Sequence, residues 1–222
     1  MDTIKNGNRK NLSDISLHVQ AGNAKTTADL VTQALGRKVS PTEILTDGLA
    51  VGFMEVKKRF YRCEILDSEV LVAERAIKAG IEVLNPRLEK KQNPFLGTVI
   101  TGTMEGDIRD TEKVIISAIM QSLDLKVIDL GISIPNTRFI EAAVEAKANI
   151  ISCNTSLTIF LPKMKSLIQA AEQAKIRDKT KILLSGGPVT AWFCKYIDAD
   201  MYAPDIIKAS KMAADYCKTL EK

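Results

Sequence analysis

The chain has 222 residues and a formal net charge of +4, with 45% apolar and 26% charged residues, which is typical of a globular protein of one large or two small domains. Its basic residues are spread along the sequence without interleaved aromatics, so we expect no nucleic-acid partner. No apolar run reaches the roughly 18–20 residues of a membrane-spanning helix, so we expect no membrane partner either.

The N-terminal stretch MDTIKNGNRKNL lacks the apolar region of a signal peptide, and we interpret it as a short polar tail. The four cysteines lie far apart without a CxxC pair, which favours reduced thiols and a cytoplasmic protein. His18 is the only histidine of the chain, which excludes a histidine-rich metal site.

Helical patterns fill the first part of the chain, and we predict a bundle of three or four helices over residues 13–92. Ser40, Pro41 and Glu43 have the spacing of a helix start, with a cap, a proline at the first helical position and a capping box. A further amphipathic helix is predicted to begin at Asp67. The polar, proline-containing stretch that follows predicts a linker at 93–97.

Short β-rich runs alternate with helical segments from residue 98 to 222, which predicts a doubly wound, flavodoxin-like α/β domain with a five-stranded parallel sheet. The predicted strands are 98–101, 126–130, 149–154, 181–185 and 200–203. The predicted helices lie near 111–123, 136–148, 160–175, 188–197 and 205–220. The fold class predicted for the whole chain is therefore an N-terminal α-helical bundle followed by this α/β domain.

Ligands of such sheets bind beyond the carboxyl ends of the strands. Glycine, hydroxyl and charged residues collect there in this chain, in the stretches GTMEGDIRDTE, NTSLT, SGGPVT and APD. We therefore predict a ligand site at this edge. The loop after the second strand, GISIPN, is predicted only to start a helix, with Asn136 as its cap.

These stretches, in this order, resemble the cobalamin-binding corrinoid proteins of methyltransferase systems and the B12-binding region of methionine synthase. The resemblance covers about residues 13–220, and it is carried by DGLAVGFMEV in the helical half and by GTMEGDIRDTEK, LLSGGPVT and ADMYAPD in the second half. It implies a bundle that caps the upper face of a corrin and an α/β domain that holds its lower face and nucleotide tail. It also implies cobalamin, with its cobalt, as the cofactor, and two methyltransferase subunits as partners, one substrate-specific and one acting on the methyl acceptor.

The resemblance assigns roles to residues of three motifs. The motif D-x-H-x-x-G falls on 107–112, where Arg109 stands in place of the histidine that ligates cobalt and Glu112 in place of the glycine. A second motif, S-x-L followed by a threonine, falls on 154–158, and the serine of a His–Asp–Ser relay falls on Phe160. The cofactor-binding residues implied are Asp107, Ile108, Arg109, Asp110, Thr111, Asn154, Ser156, Leu157, Thr158, Ser185, Gly186, Gly187, Tyr202, Ala203, Pro204 and, over the upper face of the metal, Leu66.

Arg109 cannot ligate cobalt, because a guanidinium stays protonated and has no free lone pair. We therefore expect no protein ligand to the metal, and three hypotheses stay open. The protein is a non-catalytic corrinoid carrier that holds cobalt base-off during methyl transfer, or it stores, delivers or senses a corrinoid, or it has lost corrinoid binding and Arg109 pairs with a neighbouring acid. A phosphorylated receiver domain would need an aspartate after the third strand, where the chain has Asn154.

Overall fold

The computed structural model describes residues 2–89 and 94–220. The chain divides into two compact units, residues 1–91 and 92–222. The predicted end of the bundle, at residues 90–92, and the first residue of the predicted linker, 93, lie outside the described residues.

The N-terminal unit is a helical bundle, as predicted from the sequence. Its helices are α1 (Asp2–Gln20), α2 (Ala24–Gly36), α3 (Pro41–Glu43), α4 (Ala50–Tyr61) and α5 (Asp67–Glu89), and a π-helical segment, Ile44–Leu49, joins α3 to α4. Over the described ranges, no helix combines the length and the apolar character needed to cross a bilayer.

The first helix corrects the prediction of a polar tail, because α1 begins at Asp2. Leu12, Ile15 and Val19 are buried and recur at the three- and four-residue spacing of one helix face. Polar residues on the other faces conceal this stripe in the sequence.

The helix start at Ser40 is confirmed. Ser40 Oγ accepts a hydrogen bond from the Glu43 N–H at 3.2 Å, and Glu43 Oε2 accepts one from the Ser40 N–H at 3.1 Å. This reciprocal pair is a capping box that satisfies two backbone donors. The next long helix, α5, starts at Asp67 as predicted, and the preceding Leu66 N–H donates to Glu69 Oε2 at 2.9 Å.

The C-terminal unit confirms the predicted α/β domain. Its strands are β1 (Gly97–Thr103), β2 (Leu125–Asp129), β3 (Ile150–Asn154), β4 (Lys181–Ser185) and β5 (Met201–Tyr202), all parallel in the order β2-β1-β3-β4-β5. The helices are α6 (Thr111–Ser122), α7 (Asn136–Glu145), α8 (Leu161–Gln173), α9 (Ala191–Tyr196) and α10 (Ile206–Leu220), with a 3₁₀ turn at Thr158–Phe160. This is the flavodoxin-like order, whose topological switch point lies between β1 and β3.

Two apolar layers bury the sheet. One core packs residues of α7 and α8, including Phe139, Met164 and Leu167, against the strand residues Ile100 and Ile151. On the other side α6 and α10 pack together, and Ser210 Oγ donates to the Ile116 carbonyl at 3.2 Å. A strand that is covered on both faces is mainly apolar, which explains the short apolar runs of the sequence.

The register of the strands aligns polar residues at their carboxyl ends. Thr103 pairs with Asn154, and Asn154 pairs with Ser185. All three side chains are buried, with exposures of 0–2%. The sheet therefore presents a polar row across β1, β3 and β4, immediately beneath the loops that hold the candidate site.

Candidate functional site

Asp107 is the centre of the hydrogen bonds at the carboxyl edge. Its side chain is buried, and its Oδ2 accepts hydrogen bonds from the Ser156 N–H at 2.7 Å and the Thr155 hydroxyl at 2.9 Å. Its Oδ1 accepts hydrogen bonds from the Ser156 hydroxyl at 2.9 Å and the Arg109 N–H at 3.1 Å. A buried carboxylate needs such donors to compensate for lost hydration, and these tie the loop after β1 to the loop after β3.

The hydroxyls that contact Asp107 are not at the position expected from the sequence. The position of the family's relay serine falls on Phe160, which has no hydroxyl, whereas Thr155 and Ser156 donate hydrogen bonds to Asp107. The Phe160 ring packs against Gly106, where φ is +90° and an added Cβ would lie 3.0 Å from the ring. The resemblance assigns no role to Thr155, because a motif gives only the spacing of residues, whereas this contact depends on how the loop turns.

Asn154 connects the polar row to the start of α6. Its Nδ2 donates to Ser185 Oγ at 3.3 Å and to Glu112 Oε2 at 3.2 Å. Glu112, which stands in place of the glycine of the family motif, is thus in contact with a predicted ligand-binding residue. We call Asn154, Ser185 and Glu112 the Asn154 cluster.

Gly186 brings the loop after β4 directly against the loop after β3. Its φ is +120°, and an added Cβ would lie 1.9 Å from the Thr155 carbonyl oxygen. Only glycine fits this approach and this conformation. The adjacent Gly187 is exposed at the surface of the loop.

The loop after β2 takes part in the site, which corrects the prediction that it only starts a helix. Ser133 Oγ accepts a hydrogen bond from the Gly106 N–H at 3.0 Å, and the Ser133 N–H donates to the Asp107 carbonyl at 3.2 Å. Ser133 has a φ of +56°, a conformation that costs energy for a residue with a Cβ. Asn136 is the first residue of α7 and not its cap, and its Oδ1 is buried with no hydrogen-bond partner among the described residues.

An ion pair with a buried lysine holds this second loop to α6, and no pattern in the sequence indicated it. Lys113 is 3% exposed, and its Nζ lies 2.6 Å from Asp129 Oδ1 at the end of β2. The same Oδ1 accepts a hydrogen bond from the Gly131 N–H at 2.8 Å. The pair therefore fixes where the loop leaves the sheet.

Large apolar side chains are exposed around this polar centre. Ile108 is 72% exposed and Leu157 43%, and the loops after β2 and β3 add Ile132 and Ile159. Arg109 is exposed beside Ile108. Exposed apolar side chains grouped on one edge are typical of a binding surface, and these suit the broad apolar face of a flat ring.

The remaining predicted residues lie at the start of α6, in the loop after β3, at the end of β5 and in the N-terminal unit. Asp110 and Thr111 begin α6, and Thr158 opens the 3₁₀ turn after Leu157. At the end of β5, Tyr202 is half-buried, the Ala203 N–H donates to the Leu184 carbonyl at 3.2 Å, and Pro204 is exposed. Leu66 belongs to the other unit, where it is 72% exposed.

Cys153, next to Asn154, is not a thiolate. Burial raises the pKa of its thiol well above the usual range, and the Asp107 carboxylate raises it further. Its Sγ lies 2.8 Å from Met104 Sδ. Cys153 is therefore unsuited to act as a nucleophile or as an anionic metal ligand.

A helical bundle followed by a flavodoxin-like domain, with a buried aspartate and exposed apolar side chains at the carboxyl edge, defines a protein of the corrinoid-binding class. Two family profiles, each described as a B12 binding domain, match residues 97–210 and 12–85. The chain belongs to this family of B12-binding corrinoid proteins, and cobalamin is the cofactor of the family.

Named relatives agree with this assignment. The chain is 34% identical over 191 residues to trimethylamine corrinoid protein 1 of Methanosarcina mazei, covering 84% of this chain and 88% of the relative. It is 34% identical over 192 residues to the dimethylamine corrinoid protein of Methanosarcina barkeri, covering 86% and 90%. The structure of the Methanosarcina barkeri monomethylamine corrinoid protein matches with a TM-score of 0.80 and 27% identity, over 94% of this chain and 99% of that one.

Proposed function

We propose that the protein is the corrinoid-carrying, non-catalytic subunit of a methyl-transfer system, with cobalt held base-off and without a histidine ligand. The observation that carries this proposal is the loop after β1. It anchors Asp107 by hydrogen bonds and leaves Ile108 and Arg109 exposed at the edge where α/β sheets bind ligands.

The chain offers two kinds of contact to a corrinoid. Ile108 and Leu157, with Ile132 and Ile159, would pack against the lower face of the corrin. The Asn154 cluster and Gly186 would receive the nucleotide tail, because Asn154 is a hydrogen-bonding group on the polar row. When bound, the corrinoid supplies a cobalt atom that accepts and releases a methyl group.

Arg109 would shape the environment of the metal without ligating it. Its guanidinium can donate hydrogen bonds to the amide oxygens of the corrin or to the phosphate of the tail. The lower position of the cobalt would then be left to water or to no ligand, because Arg109 stands where the family motif has its ligating histidine. A weak lower ligand favours the reduced cobalt that methyl-transfer chemistry uses.

We propose that the partners are a substrate-specific methyltransferase subunit and a second one that passes the methyl group to an acceptor. The names of the relatives, which are trimethylamine and dimethylamine corrinoid proteins, support a methylated substrate for the system as a whole. The four cysteines are free thiols, three of them buried, which is consistent with the cytoplasm as the compartment.

Reconstitution tests this function. The purified protein is incubated with hydroxocobalamin, passed through a gel-filtration column and analysed for cobalt and protein. We expect the corrinoid to co-elute with about one equivalent per chain. Elution of free protein would contradict the carrier function and favour the hypothesis that corrinoid binding has been lost.

A further inference from the structure

Glu112 reaches across the site from another element to hold Asn154. It is the second residue of α6, yet its Oε2 accepts the hydrogen bond of an amide 42 residues away, at 3.2 Å. Asn154 is 2% exposed, whereas Glu112 is partly exposed. A buried amide donor is therefore held by a carboxylate that borders solvent.

The other groups around Asn154 are fixed by their own contacts. Ser185 is 1% exposed and pairs with Asn154 in the sheet. Gly186 lies against the Thr155 carbonyl so closely that no Cβ would fit. Asp107 accepts hydrogen bonds from the loop after β3 at both of its oxygens. The Glu112 carboxylate ends a long side chain, so a rotamer change can move it away from Asn154 without moving backbone.

We infer that Glu112 is a specificity-determining residue that blocks Asn154, so that the nucleotide tail of a corrinoid binds there only after displacing the Glu112 carboxylate. The inference rests on the proposed function, which places the tail at the Asn154 cluster. Two effects oppose the tail. It has to replace a charge-assisted hydrogen bond, and its phosphodiester brings a negative charge towards the carboxylate.

The block acts on the tail and not on the corrin ring. Cobinamide has the same ring as cobalamin but lacks the nucleotide, so it approaches the exposed apolar side chains without meeting Glu112. Removing the carboxylate should therefore tighten the binding of cobalamin and leave that of cobinamide unchanged. A general change in the stability of the loops would instead alter both affinities together.

The experiment measures Kd by equilibrium dialysis for hydroxocobalamin and for cobinamide, with the wild-type protein, Glu112→Ala and Glu112→Gln. We expect Glu112→Ala to bind hydroxocobalamin about tenfold more tightly, which is the value of one hydrogen bond to a charged group. Glu112→Gln, which keeps the size and removes the charge, should show a smaller gain. Cobinamide should bind all three proteins with the same Kd to within about twofold.

Glu105→Gln is the matched control, because it removes one negative charge from the loop that precedes α6. Glu105 pairs with Lys163 at 2.9 Å at the surface and makes no described contact with Asn154. It should leave both affinities unchanged. Thermal unfolding of each variant verifies that it is folded.

Two results would overturn the inference. One is an unchanged or weaker affinity of Glu112→Ala for hydroxocobalamin, and the other is an equal gain for both corrinoids. Failure of the wild-type protein to bind either corrinoid would overturn the proposed function itself, and with it the role of Glu112.

Discussion

The carboxylate of Asp107 accepts a hydrogen bond of 2.7 Å from the backbone N–H of Ser156, a residue 49 positions further along the chain. This bond crosses the topological switch point of the sheet, because Asp107 follows β1 and Ser156 follows β3. The loop that presents Ile108 and Arg109 is therefore positioned by the neighbouring loop as well as by its own strand.

Asp107→Asn tests this arrangement. The amide has the same size as the carboxylate, but its NH2 group replaces one acceptor oxygen. This group would face hydrogen-bond donors from which the carboxylate oxygen now accepts. We expect the free energy of unfolding to fall by about 2–4 kcal/mol, as for a buried hydrogen-bond network that loses a charged acceptor. Urea denaturation measures the change. Glu105→Gln, in an exposed ion pair with Lys163, serves as the control and should cost only ~0–1 kcal/mol.

Gly186→Ala should be strongly destabilising, because its Cβ would lie 1.9 Å from the Thr155 carbonyl oxygen and its φ is +120°. Gly131→Ala separates the two causes, since Gly131 has a φ of +97° but no atom of the described residues within 4 Å of the added Cβ. We expect a loss of about 1 kcal/mol at Gly131 and several kcal/mol at Gly186. Equal melting temperatures for the two variants would show that the contact with Thr155 is unimportant.

The ion pair of Lys113 and Asp129 predicts unequal effects of its two deletions. Lys113 is 3% exposed and Asp129 39% exposed. Asp129→Ala leaves a buried ammonium without its carboxylate, for which we expect a loss of about 3 kcal/mol. Lys113→Met leaves a carboxylate that water can reach, and we expect a loss of about 1 kcal/mol. Chemical denaturation measures the free energy of unfolding of both variants. A larger loss for Lys113→Met than for Asp129→Ala would contradict the finding that the lysine is the more buried partner.

The pattern of apolar residues was sufficient to predict most of the fold of the C-terminal half. The runs that became β3 and β4 are mainly apolar because both faces of the sheet are covered, and each predicted strand lies within two residues of its observed bounds. The same reasoning failed for α1, where Leu12, Ile15 and Val19 are buried among many polar residues. A sparse stripe of this kind is recognised only when the partner helices are known.

The sequence was sufficient to predict that the site lies at the carboxyl ends of the strands. It was not sufficient to predict the hydrogen bonds within the site. The topology places Asp107 and Asn154 at the carboxyl edge of the sheet, independently of the contacts of their side chains. The bonds from Thr155 to Asp107 and from Asn154 to Glu112 depend on loop geometry across more than 40 residues. Ser133 was missed because its role arises from a left-handed backbone conformation rather than from its residue type.

Arg109→His should restore a metal ligand. The backbone N–H at this position already donates to Asp107 at 3.1 Å, which orients the residue beside its neighbour Ile108. An imidazole has the lone pair that a guanidinium lacks, so we expect the absorption spectrum of bound cobalamin to change to that of a nitrogen-ligated cobalt. Arg109→Gln removes the charge without adding such a ligand and should leave the spectrum as in the wild-type protein. Identical spectra for all three proteins would show that residue 109 does not face the metal.

The central claim is that the carboxyl edge holds cobalamin with its own base removed from cobalt and no histidine in its place. The absorption spectrum of the reconstituted wild-type protein tests it most directly, since the spectrum distinguishes base-on from base-off cobalamin. We predict a base-off spectrum from corrinoid that stays bound through gel filtration. A base-on spectrum of the bound corrinoid would contradict the placement of the nucleotide tail at Asn154 and Gly186.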